Sequence, residues 1–233
     1  MPGFLSNKDK SNFSIANLSL DEEISALEKI LKAETPKIMD GKTSVKEMKD
    51  AEHSKWRETE WQGFYFEFKV LPKLIAAYGG GPKKIFRTEF DYSLKRTWDM
   101  KVHSIPTGKS KAHGCQLNDA SSIDEAVKQA GFGLILLNGI PELDLEFTRW
   151  HKKFRGGGDA EPRRLLKKSF RPESIDIFYI PDEKRLEKAK EERELIYFRQ
   201  GKQPTGEARN VKYSLDAKRA LESDLHKLRI QIN

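Results

Sequence analysis

The stretch FRTEFDYSLKRTWDMKVHS, residues 86–104, alternates apolar and polar side chains in two runs separated by a polar segment. Successive side chains of a β-strand point to opposite faces, so a period of two is typical of strands with one buried face. The pattern predicts two strands, at about 86–91 and 98–103, joined by a short turn around Ser93–Arg96. The stretch therefore predicts a β-hairpin.

This hairpin places acidic side chains close together. If the turn centres on Lys95, antiparallel pairing sets Asp91 opposite Asp99, with Cβ atoms about 5 Å apart. Lys101 shares the face of Asp99 because the two are spaced by two residues. Two carboxylates this close repel each other unless a cation lies between them, and Mg²⁺ suits paired carboxylate oxygens. The pattern predicts a metal-binding group of Asp91, Asp99 and Lys101; the alternative is ordinary charge on a solvated face.

The flanking segments indicate an α/β core. A helical region beginning near Thr43, with a possible break around His53, ends at the glycines of 79–81. Ser122 and Glu125 form a capping-box pattern that predicts a helix ending at Gly131. The continuous apolar run GLILLNG, 133–139, is typical of a buried strand with parallel pairing. The predicted order is thus buried helix, hairpin, crossover helix and buried strand.

The two ends of the chain add further elements. Ser19 and Glu22 predict a capped helix that runs to about Ala33. The remaining predictions are a helix at 141–155, a strand at 175–180, a charged helix at 182–198, a loop at 199–213 and a last helix at about 215–230.

Composition excludes several classes of protein. The 233 residues carry a net charge of +7, and 37% of them are hydrophobic, enough for a core in one domain. No apolar run approaches the roughly 18 residues of a membrane span, and the first residues lack the apolar segment of a secretory signal. The single cysteine, Cys115, excludes a disulfide framework and leads us to expect the cytoplasm. The basic charge favours a polyanionic partner.

The hairpin and its surroundings resemble the PD-(D/E)XK nuclease superfamily, and within it the type II restriction endonucleases. Asp91 matches the first acidic position, and Asp99-Met100-Lys101 matches the (D/E)XK motif. The departures are Phe90 where the family has Pro, Asp99 where Glu is commoner, and a short spacing between the two motifs. The fuller resemblance covers about residues 54–158 and rests on the stretches WRETEWQGFYFE, FD, WDMKVHS, QLND and FTRWHKKFRGGG.

The resemblance implies an α/β fold with an α-β-β-β-α-β core, a mixed central sheet flanked by helices, and extra helices at both ends. It also implies Mg²⁺-dependent, site-specific hydrolysis of double-stranded DNA by a homodimer, with a companion DNA methyltransferase and no membrane partner. We expect one domain, divided into a helical arm at 1–42, a catalytic core at 43–140 and DNA-recognition or dimerisation elements at 141–233.

In many such nucleases a glutamate from the preceding helix also faces the metal. Glu60 and Glu67 are seven residues apart and so share one helical face. Gly63 between them would let the helix approach the sheet closely. Either glutamate could serve as a metal ligand or reach solvent, and Glu60 lies in the part that most resembles the family. We therefore assign Asp91, Asp99, Lys101 and Glu60 to catalysis, and Asp91, Asp99, Glu60 and Glu67 to the metal.

Two segments suit contact with DNA. Lysines and arginines neutralise backbone phosphates, whereas Arg, Gln and Asn can also read base edges. The predicted DNA-binding residues are Lys152, Lys153, Arg155, Arg163, Arg164 and Lys167 in the first segment, and Arg199, Gln200, Gln203, Arg209 and Asn210 in the second. Two other functions remain open, namely a non-catalytic nucleic-acid-binding protein and a structure-specific DNA repair nuclease of the same fold.

Overall fold

A computed structural model describes residues 18–105, 114–158, 160–199, 201 and 209–232. The elements, in chain order, are α1 (Leu20–Glu34), β1 (Met39–Asp40), α2 (Gly41–Asp50), α3 (Trp61–Tyr78), β2 (Gly81–Ile85), β3 (Thr88–Ser93), β4 (Thr97–Ser104), β5 (Gly114–Asp119), α4 (Ala120–Ala130), β6 (Phe132–Asp144), α5 (Leu145–Phe154), β7 (Leu166–Ile180), α6 (Glu183–Glu191), β8 (Leu195–Phe198), β9 (Lys212–Asp216), α7 (Ala217–Leu221) and β10 (His226–Gln231). Within these ranges no helix is long and apolar enough to cross a membrane.

The central sheet is mixed. Its strands follow the order β1-β7-β6-β4-β3-β2, and β10 also pairs with β7. Strands β4 and β6 run parallel, whereas the other neighbours are antiparallel. A second sheet of three strands has the order β5-β9-β8. The predicted α/β class, with a mixed central sheet flanked by helices, is confirmed.

The apolar run of β6 forms the middle of the sheet. It pairs in parallel with β4, as predicted, and in antiparallel orientation with β7. Trp98 lies beside Gly133 in the parallel register, and a Cβ on Gly133 would come within 2.1 Å of the Trp98 ring. Glycine is required here because only a residue without a side chain leaves room for the indole.

Two hydrophobic cores cover the two faces of the sheet. One contains apolar side chains of α1, α2, α3 and α5, together with Trp98 and Met100 of β4. The other lies under α4, α6, α7 and the small sheet. Asp99 and Lys101 alternate with Trp98 and Met100, so they point to the opposite face of β4. The polar pair is thus held by a strand whose apolar residues anchor it in the core.

The hairpin forms with the predicted register. Tyr92 pairs with Trp98 and Ser93 with Thr97, which centres the turn on Lys95. An additional strand, β2, precedes the hairpin and was not predicted. Its Gly-Pro start hides the strand pattern, and Phe86 makes the turn to β3 with a positive φ of 52°.

The helices preceding and following the hairpin differ in detail from prediction. The helical region from Thr43 is two helices, α2 and α3, separated by residues 51–60. The capping-box prediction for α4 is wrong, because Asp119, and not Ser122, is the N-cap and accepts from the Ser122 N–H. The end of α4 at Gly131 and the Ser19 capping box of α1 are confirmed.

The carboxyl-terminal part differs most from prediction. The charged helix ends at Glu191, and 195–198 form β8 instead of its last turn. The predicted helix at 215–230 is wrong, since only Ala217–Leu221 are helical and His226–Gln231 extend the sheet as β10. Pairing with β7 explains this, because it buries Ile230 against the core. The proposed boundary at residue 140 falls inside β6, and α1 packs against the first core.

Candidate active site

The candidate site lies where β3 and β4 separate. Backbone pairing joins Tyr92 to Trp98, and beyond this pair the Met100 N–H donates to the Asp91 carboxylate over 2.6 Å. The Asp91 side chain therefore occupies the gap between the two strands, close to Asp99. The predicted neighbourhood of these two aspartates follows directly from the hairpin register.

Asp99 and Lys101 form the centre of the group. Asp99 is 1% exposed, and its Oδ2 lies 2.6 Å from the Lys101 Nζ. The Lys101 ammonium also donates to the Met100 carbonyl over 3.2 Å. The other Asp99 oxygen, Oδ1, accepts from Asn118 Nδ2 at 2.9 Å. Asn118 lies on β5, so the small sheet fixes the orientation of a carboxylate on the central sheet.

Glu67 from α3 is the third carboxylate of the group. It is half-buried, and its charge interacts with those of Lys101 and Asp99. Trp61 fixes the start of this helix, because its indole donates to the Lys167 carbonyl of β7 over 2.8 Å. A Cβ on Gly63 would meet no atom within 4 Å, so the close approach expected there is absent. Helix and sheet nevertheless bring Glu67 to the aspartates.

Burial and mutual repulsion perturb the acids of this group. Burial, together with the charges of Asp99 and Glu67, raises the pKa of Asp91 to about 9. Burial and Asp99 likewise raise the pKa of Glu67 to about 7, against the opposing charge of Lys101. Burial would lower the pKa of Lys101, but the carboxylates around it raise it above its usual value. The ammonium therefore stays protonated at neutral pH.

Glu60 takes a different position. It is the N-cap residue of α3, and its side chain is 56% exposed. Its carboxylate pairs with Lys167 at 3.0 Å and with Arg164 at 3.5 Å. Against the effect of burial, Lys167, Gln62 and Arg164 lower its pKa. Glu60 thus neutralises part of the predicted DNA-binding segment, whereas Glu67 is the glutamate near the aspartates.

The donor set suits a hard cation by its chemistry. Carboxylate oxygens are the ligands that Mg²⁺ prefers, and water completes its octahedron. Raised pKa values on two partly buried acids indicate that Lys101 alone does not balance all three carboxylates in their ionised form. Within the described ranges, no three His, Cys, Asp or Glu side chains are arranged at metal-binding distances. Here the ammonium of Lys101 holds Asp99 Oδ2, the oxygen that would face a cation.

The predicted DNA-binding residues occupy several places. Lys152, Arg155, Arg163 and Arg164 line one cavity. Lys167 pairs with Glu60, and Lys153 is exposed. In the second segment Arg199, Arg209 and Asn210 are exposed, and Gln200 and Gln203 lie outside the described residues.

Sequence reasoning missed one member of the group. Asn118 lies within the QLND stretch, to which no role was given. Buried Cys115 and Leu117 alternate with Gln116 and Asn118, and this period of two could have predicted β5. The contact to Asp99 itself joins separate sheets, so no local pattern indicates it.

No family model, curated protein or solved structure matches this chain. The site is therefore interpreted from its own residues.

Proposed function

We propose that this protein is a Mg²⁺-dependent, site-specific endonuclease that hydrolyses phosphodiester bonds of double-stranded DNA, similar to type II restriction enzymes. The observation that carries the proposal is the group of Asp91, Asp99 and Glu67 around the protonated Lys101. Three acids that share one lysine away from solvent lower the stability of the fold. Groups of this kind are concentrated at functional sites, where the charge serves the chemistry.

The order of the elements supports the same proposal. Helix α3, strands β2, β3 and β4, helix α4 and strand β6 follow the α-β-β-β-α-β order of the PD-(D/E)XK core, with β5 inserted before α4. The acids lie on the second and third of these strands, and Glu67 lies on the first helix. We keep Glu67, and no longer Glu60, as the glutamate of the proposed site.

In this proposal Asp91, Asp99 and Glu67 would hold the cation. The chemistry that a bound Mg²⁺ supplies is polarisation of a phosphoryl oxygen and a lower pKa for a bound water. Asn118 keeps Asp99 Oδ1 engaged, and Oδ2, which pairs with the Lys101 ammonium at 2.6 Å, is the oxygen that would face the cation. Lys101, as an ammonium, orients the attacking water and stabilises negative charge that develops on the phosphate. Since its pKa is raised, orientation and charge stabilisation suit it better than proton abstraction.

The second candidate function is binding of nucleic acid without hydrolysis. The cations of the 152–167 segment favour it, because they suit contact with phosphates whether or not the backbone is cut. A repair nuclease of the same fold would use the same acids and differ in what it recognises. One assay distinguishes these three functions.

The test is incubation of the purified protein with several unmethylated plasmid and phage DNAs, in Mg²⁺ or in EDTA. We expect discrete fragments that require Mg²⁺. Replacing Lys101 with Ala should slow cleavage by about 10²- to 10⁴-fold, the usual contribution of a group that handles protons or charge in the transition state.

The matched control is Lys84→Ala, which removes an exposed lysine from β2 of the same sheet and should cut at the wild-type rate. A Lys101→Met variant, with circular dichroism, separates loss of chemistry from loss of fold. Cutting by Lys101→Ala at the wild-type rate would refute the assignment. Binding of every DNA without cutting would support the second candidate, and a smear or junction-specific products would indicate a repair nuclease.

A further inference from the structure

A basic cavity lies beside α5, apart from the acidic group. Its volume is about 310 Å³, and its lining includes Lys152, Arg155, Arg163 and Arg164. Among the described residues of the lining the acid is Glu161, which pairs with Arg149 at 2.8 Å. Within the described part of the chain, the walls of the cavity therefore carry four cations and one carboxylate whose charge is already balanced.

His151 supplies a second, independent observation. It lines the same cavity, is 0% exposed, and neither ring nitrogen has a hydrogen-bond partner among the described residues. A neutral imidazole carries one N–H, and a buried donor without an acceptor destabilises the fold. Burial and the charge of Arg155 lower the pKa of His151 to about 4. A negatively charged acceptor in the cavity would pair with the His151 N–H and would raise the pKa of its ring.

The cations now bond to neutral oxygens and to one exposed acid, and among these bonds Lys152 donates to the Ala160 carbonyl and Arg164 to the Thr59 hydroxyl. Arg155 donates to the Arg57 carbonyl over 3.3 Å, and Arg164 lies 3.5 Å from the half-exposed Glu60. Arginine forks match the oxygens of a phosphate in pairs, and lysine adds a point charge. Four cations and a buried N–H donor suit a phosphate better than a single carboxylate, which offers only two oxygens.

We propose that this cavity binds a phosphate group of the DNA backbone. The identity of the phosphate as part of DNA rests on the proposed function. Thr59 also lines the cavity, next to the N-cap of α3, and Glu67 lies about 10 Å further along the same helix at about 1.5 Å per residue. A phosphate bound here fixes the position of the duplex relative to the acidic group, and it carries no sequence information.

The first experiment uses inorganic phosphate as the probe and the full chain without metal. Titration followed by NMR of the histidine rings should shift the His151 resonances and raise the pKa of its ring. Arg163→Gln should weaken this response at least several-fold. Arg219→Gln, which removes an exposed arginine from α7, serves as the matched control and should respond as the wild type does.

The second experiment measures duplex binding with Ca²⁺ in place of Mg²⁺, at several salt concentrations. Arg163→Gln should weaken binding about equally for all sequences and reduce the salt dependence by about one phosphate contact, a change of roughly 0.9 in the log–log slope. Arg219→Gln should leave the slope unchanged.

The outcomes distinguish this inference from the proposed function. If the wild type cuts DNA into fragments and Arg163→Gln leaves the salt slope unchanged, phosphate binding in the cavity is refuted and the proposed nuclease function is retained. A phosphate response at His151 without any effect on duplex binding would assign the cavity to free phosphate and overturn the backbone contact. A reduced slope in a protein that cuts no DNA would support the cavity and refute the nuclease.

Discussion

The central sheet contains two buried acidic places that differ in how their charge is balanced. Asp176 on β7 is 0% exposed and accepts from His226 and Arg229, each at 2.8 Å, and from Asn138 at 2.8 Å. Each of its oxygens therefore has donors, and its charge has a cation beside it. This is the arrangement expected of a structural ion pair.

In the acidic group of β3, β4 and α3, Asp99 is as buried as Asp176, whereas Asp91 and Glu67 are partly exposed, and the charge of the group is not balanced. Asp91, Asp99 and Glu67 share Lys101, and the pKa values of Asp91 and Glu67 are raised. Burial alone therefore does not distinguish a structural acid from a candidate functional one. The excess of negative charge does, because a bound cation would remove it.

Removing the charge of Asp176 should have the largest effect on stability. Asp176→Asn replaces a charged acceptor by a neutral amide and leaves Arg229 without its partner. We expect the free energy of unfolding to fall by about 3 kcal/mol, as for a broken buried pair. Urea unfolding measures it, with exposed Asp50→Asn as a control that should change by less than about 0.5 kcal/mol. A loss below about 1 kcal/mol would contradict the structural role.

Adding Mg²⁺ should stabilise the protein only through the group of Asp91, Asp99 and Glu67. A ligand that binds the folded state at 100 times its dissociation constant raises the free energy of unfolding by about 2.7 kcal/mol. We expect a rise of this size for the wild type and for Asp176→Asn, and little or none for Asp99→Asn. Thermal unfolding in MgCl₂, against NaCl of equal ionic strength, measures the difference. An equal response from Asp99→Asn would remove Asp99 from the metal site.

The two places also differ in how far the sequence predicts them. Asp91 and Asp99 meet across a short turn, so a period of two and the centre at Lys95 were enough to predict their proximity. The group around Asp176 depends on pairing between β7 and β10, which are about 50 residues apart. The segment of β10 was predicted to be helical, because its local pattern does not show the sheet edge that it completes.

The choice between the two glutamates shows the same limit. Helical spacing placed Glu60 and Glu67 on one face, but Glu60 caps α3 and is held by Lys167 and Arg164. Those two cations belong to a segment more than 100 residues away in the chain. Sequence spacing predicts which residues share a helical face, whereas the packing of distant segments decides which end of the helix meets the acids.

Neutralising one acid of the unbalanced group should stabilise the protein. Asp91→Asn keeps an oxygen that accepts from the Met100 N–H and removes an acid whose ionisation is opposed by burial and by Asp99 and Glu67. We expect the free energy of unfolding in EDTA at pH 8 to rise by about 1–2 kcal/mol, the range of a removed buried charge conflict. Cleavage should be lost in the same variant. A destabilised Asp91→Asn would mean that this carboxylate is structural, as Asp176 is.

The pH dependence of stability should show the same imbalance. The pKa values of Asp91 and Glu67 are higher in the folded state than the value of about 4 in an unfolded chain. The folded protein then binds more protons above pH 4, so these groups make the free energy of unfolding fall as pH rises, by at most about 1.4 kcal/mol per pH unit and proton. The contribution of Glu67 to this fall in the free energy of unfolding ends above its pKa of about 7, whereas the contribution of Asp91 continues to about pH 9. Urea unfolding of the wild type and Asp91→Asn between pH 5 and 9 isolates the contribution, since other groups cancel in the difference. The advantage of the variant should grow with pH, and an advantage that stays constant between pH 5 and 9 would show that Asp91 is ionised and balanced in the folded protein.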